Sequence, residues 1–408
     1  EYTDEVKDSV SSYGDAAIVT LSRVGGEGAD LAYGDVNYLA LDDNEKEMLS
    51  NVAAMKADGT VSKIIVLINS ANALQVDFLK DNTYNVDACL WIGDVGITGI
   101  NAVADILAGN VNPSGSLVDT YCYDNYSSPA MANFMPMIYE GYTEELIPEK
   151  AKSYMVYQEG IYVGYKYYET RYEDTVMGTG NAGSYVYSDD VAFPFGYGLS
   201  YTTFEQSIDN FTDQGNTIAF DVTVTNSGDV SGKTPVEIYY TPPYNNGGIE
   251  KASVNLIDFQ KTEILEPGET STVSFEINKE DMTSYDSNEI KVKGGGYILE
   301  AGEYTISVRS DSHTVLDSEN FSVDQDIIYD GDGRTSDDAT AVNQFQEYSA
   351  GDVTYLSRAD QFGNYGEATA IPAEDTYAMD KKTLANVTAK SVAYYDPSQY
   401  DNDADEMP

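Results

Sequence analysis

Three short apolar runs, Ala16–Leu21, Ile64–Asn69 and Val86–Ile92, alternate with helical periodicity through the first half of the chain. Asp43 is placed to cap a helix in which Met48, Leu49, Val52 and Met55 share one face. A second helix is predicted from Thr98 to Ala108, with Ile100, Val103, Ala104 and Leu107 turned inward. The tetrapeptide "NPSG" at 112–115 reads as a tight turn after it. Strand and helix in alternation predict a mostly parallel sheet covered by helices on both faces, with ligands at the carboxyl ends of its strands. From about Thr203 the period falls to two, in "TIAFDVTVTNSGD", "VEIYYTPP", "STVSFEI" and "EYTISVRS". Turns built on "NSGD", "EPGE" and "EAGE" separate these segments, which predicts a small antiparallel β-sandwich. Residues 324–408 are rich in Asp, Tyr and Ala with weak periodicity and read as an extended linker or wrapping arm. Within it "GDVTYLSRAD" at 351–360 is the most structured-looking block. The pattern divides the chain at 1–202, 203–323 and 324–408.

One stretch, "AIVTLSRVGGEGADL", runs a strand straight into glycines with a carboxylate, Glu27, at their centre. A phosphate cradle is excluded, because a fixed carboxylate competes with the anion that such a loop's N–H groups would bind. Neither a dinucleotide fingerprint nor a Walker lysine is present. Two readings stay open from the residues alone. Gly25, Gly26 and Gly28 make a surface turn that leaves Glu27 solvated, or they hold Glu27 out as a positioned acid just past the carboxyl end of the first strand.

Composition narrows the classes. The chain has 408 residues, with 22 basic against 69 acidic side chains and a formal net charge of -47. Such a surface repels nucleic acid and anionic lipid, and no apolar run approaches the length of a membrane span. It fits an extracellular or cell-surface protein, or one from a salty habitat, and leaves homo-oligomerisation open. Two cysteines make neither a disulfide framework nor a metal site. Cys89, in "VDACLWIG", reads as a buried thiol, and a bridge to Cys122 stays open. The single histidine, His313 in the polar turn "SDSHT", rules out zinc clusters and argues against a Ser-His-Asp triad. No cofactor or metal is called for, so any chemistry falls to carboxylates, hydroxyls, tyrosines or a partner. Both ends, "EYTDEVKDSV" and "YDNDADEMP", look cut, and the expectation is a piece of a longer protein.

The blocks "SRVGGEGADL", "VNPSGSLVDTY", "EGIYVGYKYYET" and "FPFGYGLSYTTF" resemble, in order and approximate spacing, the accessory half of a family 3 glycoside hydrolase, over about residues 10–325. The resemblance implies an (α/β)6 sandwich followed by a fibronectin type III-like domain. It implies that Glu27 is the general acid/base, since it occupies the glutamate of the family's "SGEG" loop. It also implies an aspartate nucleophile on a (β/α)8 barrel that this chain does not contain. Where many members carry "GQEGG" after the third strand, this sequence has "GITGI", so Ile97 and Thr98 replace the polar pair. The segment "TYLSRADQFGNY" is similar to the connector of circularly permuted members, in which the barrel comes last.

The activity so implied is retaining β-glycosidase, foremost β-glucosidase, acting on terminal β-linked glucose of an oligosaccharide or glucoside in a bacterial setting. A β-xylosidase, a non-catalytic carbohydrate-binding or scaffold fragment, and a flavodoxin-like binder are the alternatives. Ser22 and Arg23 either support Glu27 or pack beneath it, and Asp30 is a candidate to cap or orient the loop. Trp91, the only tryptophan, is a candidate sugar platform or a core residue. "YVGYKYYET" and "FPFGYGLSY" are expected to lock the first domain to the sandwich, and Arg358 to reach back from the arm to an acidic partner.

Overall fold

The computed structural model describes residues 3–25, 38–132, 137–138, 153–154, 157–178, 184–329, 334–335, 354–359 and 362–370. By contact density the chain forms a large unit, Glu1–Asn133, Tyr157–Val342 and Thr354–Ala370, and a small one, Phe134–Val156, Asn343–Val353 and Ile371–Pro408.

The large unit opens with helix α1 (Asp4–Ser11), then β1 (Ala17–Ser22), α2 (Asp43–Ala57), β2 (Ile64–Asn69), β3 (Ala88–Trp91) and α3 (Gly96–Leu107). The three strands form a parallel sheet in the order β1-β2-β3, with Leu21 level with Ile68 and Ile68 level with Trp91. Strand β2 is central and buries Ile64, Val66, Leu67 and Ile68, which is why its sequence is an unbroken apolar run. Edge strand β1 alternates, with Val19 and Leu21 buried but Ile18 and Thr20 exposed. Helix α2 lays Leu49, Val52 and Met55 on the buried face. Its cap is Asp42, one residue before the expected Asp43. A reciprocal capping box decides this: Asp42 accepts from Glu45 N at 2.8 Å, while Glu45 accepts from Asp42 N at 2.9 Å.

Four expectations are corrected. In α3 only Val103 is buried; Ile100 and Ala104 are exposed and Leu107 half-buried, because no layer among the described residues lies over that apolar face. Among the described residues no helix covers the outer side of β1, where Ile18 and Thr20 are exposed. Cys89 is exposed on the outer strand β3, whereas Cys122 is buried, and both are free thiols. Residues 112–115 form no turn. They run extended beside 196–200, where Leu117 N donates to Tyr197 O at 2.9 Å and Asn112 Oδ1 accepts from Ser200 Oγ and Tyr201 N. A Cβ on Gly198 would lie 2.3 Å from the carbonyl oxygen of Gly115, so this close approach requires glycine.

The sandwich pairs a sheet of β8 (Phe204–Asp213), β9 (Thr217–Asn226) and β12 (Thr270–Asn278) with one of β10 (Pro235–Thr241), β11 (Asn255–Lys261), β15 (Gly302–Arg309) and β16 (Val315–Val323). Every second residue of β9 from Ile218 to Asn226 is buried. Ile218, Phe220, Val222 and Val224 meet Val273, Phe275, Val236, Ile238, Tyr304, Ile306 and Val308 in one core. A smaller sheet adds β13 (Ser284–Tyr285), β14 (Tyr297–Leu299) and β17 (Ile327–Tyr329), so the segment after residue 323 begins as a strand. Between the domains come β4 (Tyr121–Cys122), one-turn helix α4 (Pro129–Ala132), α5 (Tyr165–Met177), α6 (Tyr187–Asp190) and β7 (Val191–Phe193), with β4 and β7 antiparallel. In the small unit β5 (Met137–Ile138) pairs antiparallel with β6 (Ser153–Tyr154).

Helix α5 is the junction. Tyr165 stacks on Phe195 with ring centroids 4.8 Å apart, and its hydroxyl accepts from Leu256 N of the sandwich. Thr170 Oγ1 accepts from Ser253 N at 2.9 Å, and Ser312 N donates to Phe195 O. The tyrosine-rich blocks therefore lock the two domains, as their composition suggested. Buried Glu169 accepts from Tyr187 Oη and Ser312 Oγ, and its other oxygen lies 2.8 Å from His313 Nδ1. The imidazole lies against the rings of Tyr187 and Tyr172 at 4.1 and 4.5 Å. One turn further along α5, Asp174 receives Nε and Nη2 of Arg358, which comes from the arm and lies over the ring of Tyr244. Leu356 and Phe362 of the arm pack with Tyr162, Tyr167 and Tyr168 of the α5 region. Arg358 thus has the acidic partner its sequence position suggested.

Arg358 and Asp174 have side chains 7% and 4% exposed, so Arg358→Ala takes the guanidinium away from a buried carboxylate. We expect a loss of about 3–5 kcal/mol in urea unfolding; a loss below about 1 kcal/mol would show that the pair is not holding the arm. His313 presents a second test. Burial lowers its pKa, but the hydrogen bond and charge of Glu169, with Asp311 behind them, outweigh both that and Arg309 and hold it above the usual 6.5. A group with a raised folded pKa stabilises the protein below its unfolded value and loses that contribution as pH rises through the folded one. The stability gap between wild type and His313→Gln should therefore shrink as pH climbs from about 6 to about 9, and a pH-independent gap would refute the pairing.

Candidate active site

The carboxyl ends of the three parallel strands bring Ser22, Asn69 and Trp91 to one edge of the α/β domain. Such an edge is where open α/β sheets bind ligands, because the loops that leave it diverge. From β1 the chain passes through Arg23, Val24 and Gly25 and returns at Tyr38. Glu27, Gly26, Gly28 and Asp30 lie outside the described residues.

The described stem is well defined. Ser22 Oγ accepts from Asn69 Nδ2 at 3.4 Å, and Arg23 N donates to Asn69 O at 3.4 Å, carrying the parallel ladder one step past β1. The guanidinium of Arg23 uses all five of its N–H groups. Nη1 donates to Ser22 O at 2.8 Å and Glu45 Oε1 at 2.7 Å, Nη2 to Ala40 O and Glu45 Oε2 at 2.7 Å each, and Nε to Tyr38 O. Its charge is thus matched by a bidentate carboxylate, the strongest form of the pair. Gly25 is half-buried and Val24 is 91% exposed at the point where the described stem stops. The sequence singled out Arg23 but gave no role to Glu45; the signal for it was the spacing of Asp42 and Glu45, which marks a capping box.

Trp91 is half-buried against the α/β core, its indole Nε1 donating to Ser70 O at 2.8 Å. Gly93, at φ +57, sits close over the ring. These contacts fix the indole at the strand end and turn its N–H inward. The neighbouring loop carries the "GITGI" departure, with Ile97 96% exposed and Thr98 and Asp94 also at the surface. Apolar Ile97 and Val24 therefore stand uncovered at the sheet edge. Ser70 is fully buried and its Oγ accepts from Asn72 N at 3.0 Å, while Asn72 Oδ1 is buried without a partner. Among the described residues no three His, Cys, Asp or Glu side chains converge as metal ligands would.

Residues 2–165 match the glycosyl hydrolase family 3 C-terminal domain, and residues 234–312 match the fibronectin type III-like domain. The chain is 30% identical over 371 residues to a β-glucosidase of Ruminococcus albus, which covers 90% of this chain and 34% of that protein. It is 27% identical to an exo-α-(1→6)-L-arabinopyranosidase of Bifidobacterium longum, across 80% of this chain and 36% of the other. Among solved structures, β-glucosidase 3B of Thermotoga neapolitana in complex with α-D-glucose superposes with a TM-score of 0.64 at 30% identity, covering 80% of this chain and 40% of that one. The chain spans about a third of the length of the curated relatives it matches. An α/β domain and a β-sandwich with these matches, in this order, place the chain in the family 3 glycoside hydrolases, of which it carries the C-terminal α/β domain and the fibronectin type III-like domain.

Proposed function

We propose that this chain supplies the general acid/base, Glu27, of a retaining β-glucosidase that releases terminal β-linked glucose from oligosaccharides or glucosides. The observation that carries the reading is the stem on which Glu27 lies in sequence. It leaves the carboxyl end of β1, at the ligand-binding edge of a domain matched to the family's C-terminal domain. The nucleophile is an aspartate of a (β/α)8 barrel on polypeptide beyond these residues, as the resemblance implies. The exposed Val24 and Ile97 support a second body over this edge, since apolar side chains there gain by being covered.

In a retaining enzyme the two carboxyl groups stand about 5–5.5 Å apart. One attacks the anomeric carbon and forms a glycosyl-enzyme; the other protonates the departing oxygen and then takes a proton from the attacking water. Glu27 performs the second role. Of the five arginines, Arg23 is the one nearest to it in sequence, and its charge is already matched by Glu45. Docking against a barrel and the charge of the nucleophile both raise a carboxyl pKa, as the acid step requires. The arabinopyranosidase relative makes a pentopyranose the nearest alternative glycone, and that choice rests with barrel residues. The net charge of -47 supports an extracellular or cell-surface setting in a bacterium.

In the complete enzyme, Glu27→Ala should cut kcat/KM on cellobiose by about 10²–10⁴-fold while sparing most of kcat/KM on a dinitrophenyl glucoside, whose leaving group needs no proton. Azide should raise kcat on the dinitrophenyl glucoside, which the water step without its base now limits, and yield a β-glucosyl azide. Equal losses in kcat/KM on both substrates would remove Glu27 from the acid role.

A further inference from the structure

The five-bonded guanidinium at the foot of the glycine-rich stretch does more than fill space. Its acceptors come from three places: the end of β1 through Ser22, the returning chain through Tyr38 and Ala40, and the first turn of α2 through Glu45. Glu45 is itself fixed, because its Oε2 also closes the capping box on Asp42 N. Helix α2 is anchored in turn by Leu49 and Val52 in the domain core. One side chain therefore joins both ends of the segment between residues 23 and 38 to the rigid part of the domain. Arg23 and Glu45 have side chains only 11% and 17% exposed, so the pair is sheltered from screening.

We propose that Arg23 is a positioning residue for the reaction, setting the separation of the two chain ends between which Glu27 lies; this rests on the acid/base reading above. The chemistry explains why the residue is arginine. Closing a segment of chain costs entropy, and a link between its ends removes part of that cost in advance. Three backbone carbonyls and a carboxylate around one cation ask for five donors in a fixed fork, which lysine, with three donors on a point charge, does not offer. Misplacing a catalytic group by about 1 Å costs about 100-fold in rate, so control of the stem reaches the chemical step without any contact to substrate.

The test uses the complete enzyme with Arg23→Ala and Arg23→Lys, read on cellobiose and on a dinitrophenyl glucoside. Arg23→Ala should lower kcat/KM on cellobiose by about 100-fold and kcat/KM on the dinitrophenyl glucoside far less. Guanidinium at tens of millimolar should recover part of the cellobiose rate, which a merely structural defect would not allow. Arg23→Lys should fall between the two. Hydrogen exchange adds a readout independent of activity: the amides of Arg23 and Asp42 should exchange faster in Arg23→Ala, while those of β2 and β9 stay as in the wild type. An unchanged cellobiose rate, equal loss on both substrates without guanidinium rescue, or faster exchange throughout the domain would each overturn the proposal. A stem that exchanges no faster overturns it whatever Glu27 does. Leaving-group independence in Glu27→Ala, with the stem loosened as described, would instead locate the failure in the acid assignment.

Discussion

Three carboxyl groups along α5 govern how the large unit is put together. Glu169 takes His313, Glu173 lies 3.6 Å from Arg309, and Asp174 takes Arg358, so a single helix meets a turn and a strand of the sandwich and the arm. A buried or half-buried carboxylate is tolerable only with a partner, and a partner that must be supplied from elsewhere dictates where that element sits. Tyrosines fill the space around these pairs, with Tyr167, Tyr168 and Tyr162 on one side and Tyr187 and Tyr172 on the other. The composition sharpens the point. In a chain of net charge -47 with only five arginines, Arg23, Arg309 and Arg358 pair with carboxylates among the described residues, while Arg171 lies over the ring of Tyr185 and Arg334 over that of Tyr297.

The consequence for the site is one of rigidity. The α/β domain is a thin assembly among the described residues, three parallel strands with α2 on one face. Its carboxyl edge carries the stem of the glycine-rich loop, which Arg23 ties to α2. The same domain is tied through α5 and the 112–117 strap to a sandwich with a continuous core of its own. On the acid/base role proposed for Glu27, a rigid mount would lower the cost of orienting the acid.

What could be read from the sequence follows from the range of the interactions. Strand β2 was legible to the residue because a central parallel strand is buried on both faces and shows as an apolar run. Helix α2 was legible from its period, with the cap displaced by one because Asp42 and Asp43 are both competent and only Glu45 decides between them. The period of α3 was real but misjudged in its outcome: apolar spacing shows which face asks for cover, not whether cover is there. "NPSG" has the composition of a turn, yet Asn112 answers to partners about 90 and 120 residues away and stays extended. An acidic partner for Arg358 was expected, but which residues pair at the junction was beyond reach for the same reason, the separations being 144 residues for His313 with Glu169 and 184 for Arg358 with Asp174. The sequence offered Arg23 as support for Glu27 or as packing beneath it; the acceptors of its guanidinium could not be named, since they are mainly backbone carbonyls, which carry no residue signature.

If α5 welds the two domains, they must unfold together. Trp91, the only tryptophan, sits in the α/β domain and reports its unfolding by fluorescence, while amide protection in β9 and β12 reports the sandwich. Followed across one urea titration, the two signals should share a single midpoint and a single cooperative transition. Loss of the Trp91 signal at clearly lower urea, with β9 and β12 still protected, would show two independently stable domains and contradict the account.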